Sequence, residues 1–166
     1  MKRTLISAAA VTFLLTWAQQ TAAQDLASSI VGMWKYTGVT FKEVATGKIT
    51  YPYGEKPTGH IVYTKGGHVM FVVAGDNRKA PTTPTFTDAD RINLFNTMGA
   101  ASGTFKVEGN SLILTYTTSW NQTWSGTTQK RQIEIVGNKL TVTSEPVKSA
   151  STGQDIVFAS TFERVE

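Results

Sequence analysis

From residue 32 to the C-terminus the sequence repeats one pattern: a short run rich in Val, Ile, Thr, Phe and Tyr, then a break carrying glycine. Runs of this length and composition, bounded by turn residues, read as strands and rule out a helical bundle. Residues 32–42 (GMWKYTGVTFK), 58–64 (TGHIVYT), 67–73 (GHVMFVV), 103–107 (GTFKV), 111–119 (SLILTYTTS), 127–136 (TTQKRQIEIV), 139–145 (KLTVTSE) and 155–165 (DIVFASTFERV) give eight of them. The links TKGG at 64–67, EGN at 108–110 and GN at 137–138 are hairpin connections, so most strands pair with their sequence neighbours.

One segment departs from the pattern. TDADRINLFNTM at 87–98 has Thr87 as N-cap, Asp90 in a capping box and Gly99 as an αL stop, with Ile92, Phe95 and Met98 on one stripe. It predicts a short amphipathic helix with one face to bury. Eight antiparallel strands and one helix favour an all-β, closed up-and-down barrel, because closure removes the exposed edges of an open sheet. A two-sheet sandwich is the alternative. An eight-stranded barrel has room for packed side chains or for one small ligand.

Side-chain alternation then sorts the faces. Ile156, Phe158, Phe162 and Arg164 share one face of the last strand, as Arg131, Ile133 and Ile135 do in the sixth. Each arginine therefore lies on an apolar side, where a guanidinium needs an acceptor, an aromatic ring or a barrel end.

The N-terminus follows another logic. Lys2 and Arg3 precede a mostly apolar run from Leu5 to Ala18, too short to span a bilayer comfortably, and small residues lead to Ala23. This is the layout of a secretory signal peptide over residues 1–23, leaving one domain at 24–166, exported to a periplasm or the exterior. Cleavage removes two of the positive charges behind the formal net charge of +4. No basic run exceeds the pair Lys130-Arg131, which argues against nucleic acid as a partner, and no later segment is apolar enough for an integral membrane span. The chain has no cysteine, so disulfides, thiol catalysis and zinc–thiolate sites are excluded and the core must supply the stability.

IVGMWKYTGV at 30–39, YPYGEKPTGHIVYTKGGHVMF at 51–71, GTFKVEGNSL at 103–112, WNQTWSGTTQKRQIEIVGNKLTVT at 120–143 and the closing FERV at 162–165 resemble the lipocalin-like domain family, small β-barrels of bacteria and fungi. The resemblance spans nearly all of residues 24–166 and implies a barrel with an internal cavity, without implying a particular chemistry. Two departures stand out. Asn121 and Gln122 occupy the place before Trp124 where the family tends to have proline, and Arg78 is the only arginine in the loop after the third strand. The glycine–tryptophan and arginine of a lipocalin floor have counterparts in Gly32, Trp34 and Arg164. There the guanidinium is expected over the indole, with Arg131 as the competing partner.

The chemistry-bearing residues are few. His60 and His68, the only histidines, flank the 64–67 connection, which allows them to lie opposite each other as an acid–base pair. Without a third ligand or a nucleophile beside them, the plainer reading is two partly exposed strand histidines. Tyr51, Pro52, Tyr53 and Gly54 read as a rim segment. Trp120 and Trp124 bracket the link between the fifth and sixth strands, as a ligand rim or as a cap on the core. Asn121-Gln122-Thr123 matches a glycosylation acceptor. No motif requires a metal or a cofactor.

Three functions fit. The leading one is an exported barrel that binds a small, largely apolar molecule, lined by Leu112, Leu114, Ile133, Ile135 and Phe158. In it Tyr63, Arg78, Tyr116, Trp120, Trp124 and Arg131 contact the ligand. The second is a cofactor-independent isomerase, cyclase or dehydratase using His60 or His68. The third is a structural or protein-contact module with a packed core.

Overall fold

The computed structural model describes residues 26–76, 78–149 and 152–166, so the signal-peptide reading of 1–23 lies outside the described residues. Eight long strands form the wall: β1 (Gly32–Glu43), β3 (Thr58–Tyr63), β4 (His68–Ala74), β5 (Met98–Glu108), β6 (Ser111–Ser119), β7 (Thr128–Val136), β8 (Lys139–Ser144) and β10 (Asp155–Arg164). Two two-residue strands, β2 (Ile49–Thr50) and β9 (Val147–Lys148), extend it at one end. Neighbours pair antiparallel in the order β1-β3-β4-β5-β6-β7-β8-β10, and β1 pairs with β10, so the sheet closes on itself. Among the described residues no helix is long and apolar enough to cross a membrane.

Alternation is clean because one face of every strand meets the lumen. Along β4 His68, Met70 and Val72 are exposed while Val69, Phe71 and Val73 are buried. Leu112, Leu114 and Tyr116 are buried along β6, and Leu140, Val142 and Ser144 along β8.

The two ends differ. Tight turns join the strands at one of them, 64–67, 109–110 and 137–138, each using a positive-φ glycine. The N-terminal helical turn, 26–29, and the last residues meet at this same end. Arg164 lies with its guanidinium carbon 4.1 Å from the centre of the Trp34 ring. Trp34 Nε1 donates to Ile30 O at 2.8 Å, Arg164 Nη1 donates to Val31 O at 3.0 Å, and Arg164 Nη2 donates to Ser29 O. Gly32 has φ 134°, and a Cβ there would stand 2.3 Å from Glu166 O, so a side chain would push the terminus off the floor. The long connections 44–57, 75–97, 120–127 and 145–154 all belong to the opposite end, the mouth.

Two expectations need correction. The helix, α1 (Asp88–Asn96), has its capping box: Thr87 Oγ1 accepts from Asp90 N, and Asp90 Oδ2 accepts from Thr87 N. It buries no residue, however; Ile92 is 61% exposed and Phe95 49%. The helix lies beside the barrel end rather than against a broad wall, so its apolar stripe has little to cover. Met98 and Gly99 do not finish the helix but begin β5, and Gly99 points inward beneath the Tyr53 hydroxyl, where a Cβ would come within 2.9 Å of it.

Trp34→Ala removes a fully buried indole and is expected to cost about 3–5 kcal/mol of unfolding free energy, as aromatic truncations in cores do. Arg164→Ala, half-buried and losing a cation–π contact of about 0.5–2 kcal/mol, is expected to cost clearly less. Urea unfolding curves of the two variants check the ranking; equal losses would show that the guanidinium, not the indole, carries the floor.

Candidate functional site

The lumen is built from opposite walls. Tyr36 on β1, Tyr63 on β3 and Tyr116 on β6 all point inward and are buried, and Arg131 on β7 joins them. In the ring of strands β3 stands across from β7, and β1 across from β6. Hydroxyls and guanidinium therefore approach one another through the interior rather than along one strand. Tyr53, carried inward by the segment between β2 and β3, joins the group near the mouth.

These groups are polar and poorly solvated. Tyr63 is 1% exposed and its Oη has no hydrogen-bond partner. Burial pushes the Tyr36 and Tyr63 phenols well above the ordinary tyrosine range, with neighbouring tyrosines adding to the effect. The Tyr116 phenol is pushed up by burial to about 12, against the opposing pull of Arg131, and burial also raises Tyr53. Arg131 is 6% exposed. Desolvation lowers its pKa, while Tyr116, Glu145 and Tyr63 act in the opposite sense. Its Nη1 donates to Lys130 O at 3.0 Å, its Nη2 to Gln129 Oε1, and its guanidinium carbon sits 4.5 Å from the centre of the Phe158 ring.

Aromatic rings run from this interior to the surface. Trp124, in a 3-10 turn at Gln122–Trp124, stacks on Tyr116 with centroids 5.8 Å apart. Trp120 meets Trp124 edge-on at 5.0 Å and Phe95 of α1 at 5.9 Å, and its Nε1 donates to Phe95 O. Both tryptophans are half-buried, so the loop caps the mouth and ties α1 to it. Asn121 Oδ1 accepts from Thr123 N and Oγ1, which holds the turn. Arg78 is half-buried in the loop after β4, at the same end.

The histidines stand elsewhere. The hairpin pivots about Gly66, so His60 pairs with Val72 and the Thr64 N–H donates to His68 O; the two are not opposite each other. Both are exposed on the outer wall, as their parity against buried Ile61 and Val69 requires. An acid–base pair in the lumen is therefore not available to them. A groove of about 440 Å³ opens on that outer wall, lined by Val62, His68, Met70, Ser102, Thr104 and Thr117 among others; a smaller one of about 160 Å³ lies beside β2 and β9. Neither is the lumen. Among the described residues no three His, Asp or Glu side chains gather as metal ligands would.

The tyrosines carry a pH signature. A phenol whose folded pKa is raised contributes stability that is intact below the unfolded value of about 10 and is lost as pH rises through the folded one. Stability is thus expected to fall steadily above about pH 10, with Tyr116 phenolate absorbance emerging only near pH 12, and that of Tyr36 and Tyr63 delayed well beyond the ordinary tyrosine range or appearing on unfolding. Absorbance titration beside circular dichroism checks this; full phenolate signal near pH 10 in the folded protein would show the hydroxyls to be solvated.

A closed barrel with one tied end and one looped end is suited to binding a small molecule in general. No curated protein matches the chain at a significant level. A family model described as a lipocalin-like domain does match, over residues 31–165. That span contains every strand of the wall, and the chain belongs to the lipocalin-like domain family.

Proposed function

We propose that the protein is an exported carrier or receptor that holds a small, largely apolar molecule inside its barrel. The observation that carries this reading is the Tyr63 hydroxyl, wholly buried without a partner. A buried hydroxyl left unmade costs about 1–3 kcal/mol, and a lumen that served packing alone would be better filled by phenylalanine there. The aromatic mouth of Trp120, Trp124 and Tyr53 supports the same reading, since it offers an apolar entrance over a polar interior. Entry requires these rings to swing aside, which half-buried side chains in long connections can do. Arg78 stands where it would meet a ligand at the entrance. Export rests on the N-terminal pattern of Lys2, Arg3, the apolar run and Ala23.

A second reading, a protein-contact module, is favoured by the outer groove, where Met70 is 64% exposed. The two are separable. Titration with an uncharged solvatochromic naphthalene dye is expected to saturate, with tryptophan emission falling as the dye settles beneath Trp124. Met70→Glu should leave that binding intact. No saturable binding, or binding abolished by Met70→Glu alone, would remove the lumen reading. Tyr63→Phe, which deletes the unpaired hydroxyl, is expected to leave the melting temperature unchanged or higher. A fall of several degrees would show that the hydroxyl is satisfied in the folded protein.

A further inference from the structure

The charge of Arg131 goes beyond an apolar ligand. The guanidinium faces the lumen from β7, buried, in a barrel whose other inward polar groups near it are neutral: the tyrosine hydroxyls and Ser144, its partner on β8, whose Oγ accepts from Phe158 N. Of its five N–H donors two are engaged with protein acceptors, the Lys130 carbonyl and the Gln129 side chain, and its face is covered by Phe158. Among the described residues no carboxylate ion-pairs with it. Glu145, the acid that influences it, is exposed just past the end of β8, and the inward acid of β1, Glu43, lies at the mouth and is bonded by Thr46. A buried cation without a counter-charge is costly, and a core that merely needed volume there would use methionine or leucine. Across the lumen stands Tyr63, buried, with a free donor. Tyr116 lies on the strand next to Arg131 and within its electrostatic reach.

We propose that this interior cation and the facing phenols form a head-group site, so that the molecule taken up is an acidic amphiphile: an apolar body ending in a carboxylate, the carboxylate held by Arg131 with Tyr63 and Tyr116 donating to it. This rests on the reading of the lumen as a ligand site and names the class of ligand. The chemistry fits at each atom. Guanidinium donors match the two oxygens of a carboxylate, and a phenol O–H adds a bond that an ionised acid accepts but cannot donate. Those phenols stay protonated through the neutral range, since burial raises their pKa, so they remain donors. The apolar body would then extend towards the mouth beneath Trp124.

The test compares 11-(dansylamino)undecanoic acid with its methyl ester at neutral pH, by fluorescence titration of the whole protein. The acid is expected to bind at least about tenfold more tightly than the ester, the size of one charge-assisted contact. Arg131→Met, close in volume, is expected to fold with a melting temperature at or above that of the parent and to erase the preference by weakening the acid alone. Tyr63→Phe is expected to weaken the acid several-fold and leave the ester unchanged, which keeps the test open if the arginine variant folds poorly. Equal binding of acid and ester, or variants that weaken both alike, would overturn the head-group site while leaving an apolar lumen standing. Failure of both probes, together with failure of the uncharged dye, would instead remove the lumen as a ligand site. Loss of binding in Met70→Glu would place the probe in the outer groove and overturn the proposal as well.

Discussion

The barrel depends on the meeting of its first and last strands. Every other strand is joined to its neighbour by a short link or by sequence adjacency, whereas β1 and β10 stand at opposite ends of the chain and close the sheet by pairing alone. The Trp34–Arg164 contact sits at that seam, in register, and fixes it from inside. The guanidinium is also bonded to the carbonyls of Ser29 and Val31, and the indole to Ile30, so the segment before β1 is drawn across the floor. One arginine thereby supplies donors to backbone acceptors that would otherwise end the helical turn unpaired, while its face rests on an aromatic ring. The glycine at position 32 is what lets the C-terminal carbonyl pass so close.

Tying one end leaves the other free to vary. The floor uses tight glycine turns, which fix register. The mouth carries connections of irregular length, the exposed α1 and the tryptophan loop. Stability and access are thus placed at opposite ends of the same strands. The exposure of Ile92 and Phe95 follows from this division. A helix that covered a mouth completely would bury that stripe and close the barrel at both ends, whereas here α1 is held to the rim through Trp120.

Much of the wall was legible in the sequence because a strand of period two against a single core writes its faces in alternation. Arg131 and Arg164 declared their direction by sharing parity with Ile133, Ile135, Phe158 and Phe162. The hairpin histidines did not, since HIVY at 60–63 and VMFVV at 69–73 put apolar side chains on both faces, and only the burial of their neighbours Ile61 and Val69 settles which face is wet. Their supposed opposition failed on register: in a hairpin centred on Gly66, partners are fixed by distance from the turn, and His60 lies too far from it to meet His68. The helix stripe misled because periodicity reports amphipathicity and not whether a surface exists to receive it. Gly99 was misread as a helix stop because the chain enters β5 without a loop. Tyr36 carries no local sign of membership in the interior, because its convergence with Tyr63 and Tyr116 is made across the barrel at separations no local pattern records, whereas Tyr53 already read as a rim residue.

That convergence shapes what the interior can be. Aliphatic side chains from eight strands would suffice to fill so narrow a barrel, and the cheapest interior is one without hydrogen-bonding groups. This lumen instead gathers phenols from both walls around a desolvated guanidinium, with the Tyr63 hydroxyl wholly buried and without a partner. The floor meets its own arginine with three backbone and aromatic partners, while the lumen meets Arg131 with a neighbour carbonyl, one amide and one ring. The two arginines share parity and aromatic contact and differ in what remains unanswered. Arg164 is spent on holding the chain ends together, at a rim where water also reaches it. Arg131 is held buried in the interior with donors to spare and, among the described residues, no ion-paired carboxylate, and a fold can keep such a group only where the remaining contacts of the wall carry the stability.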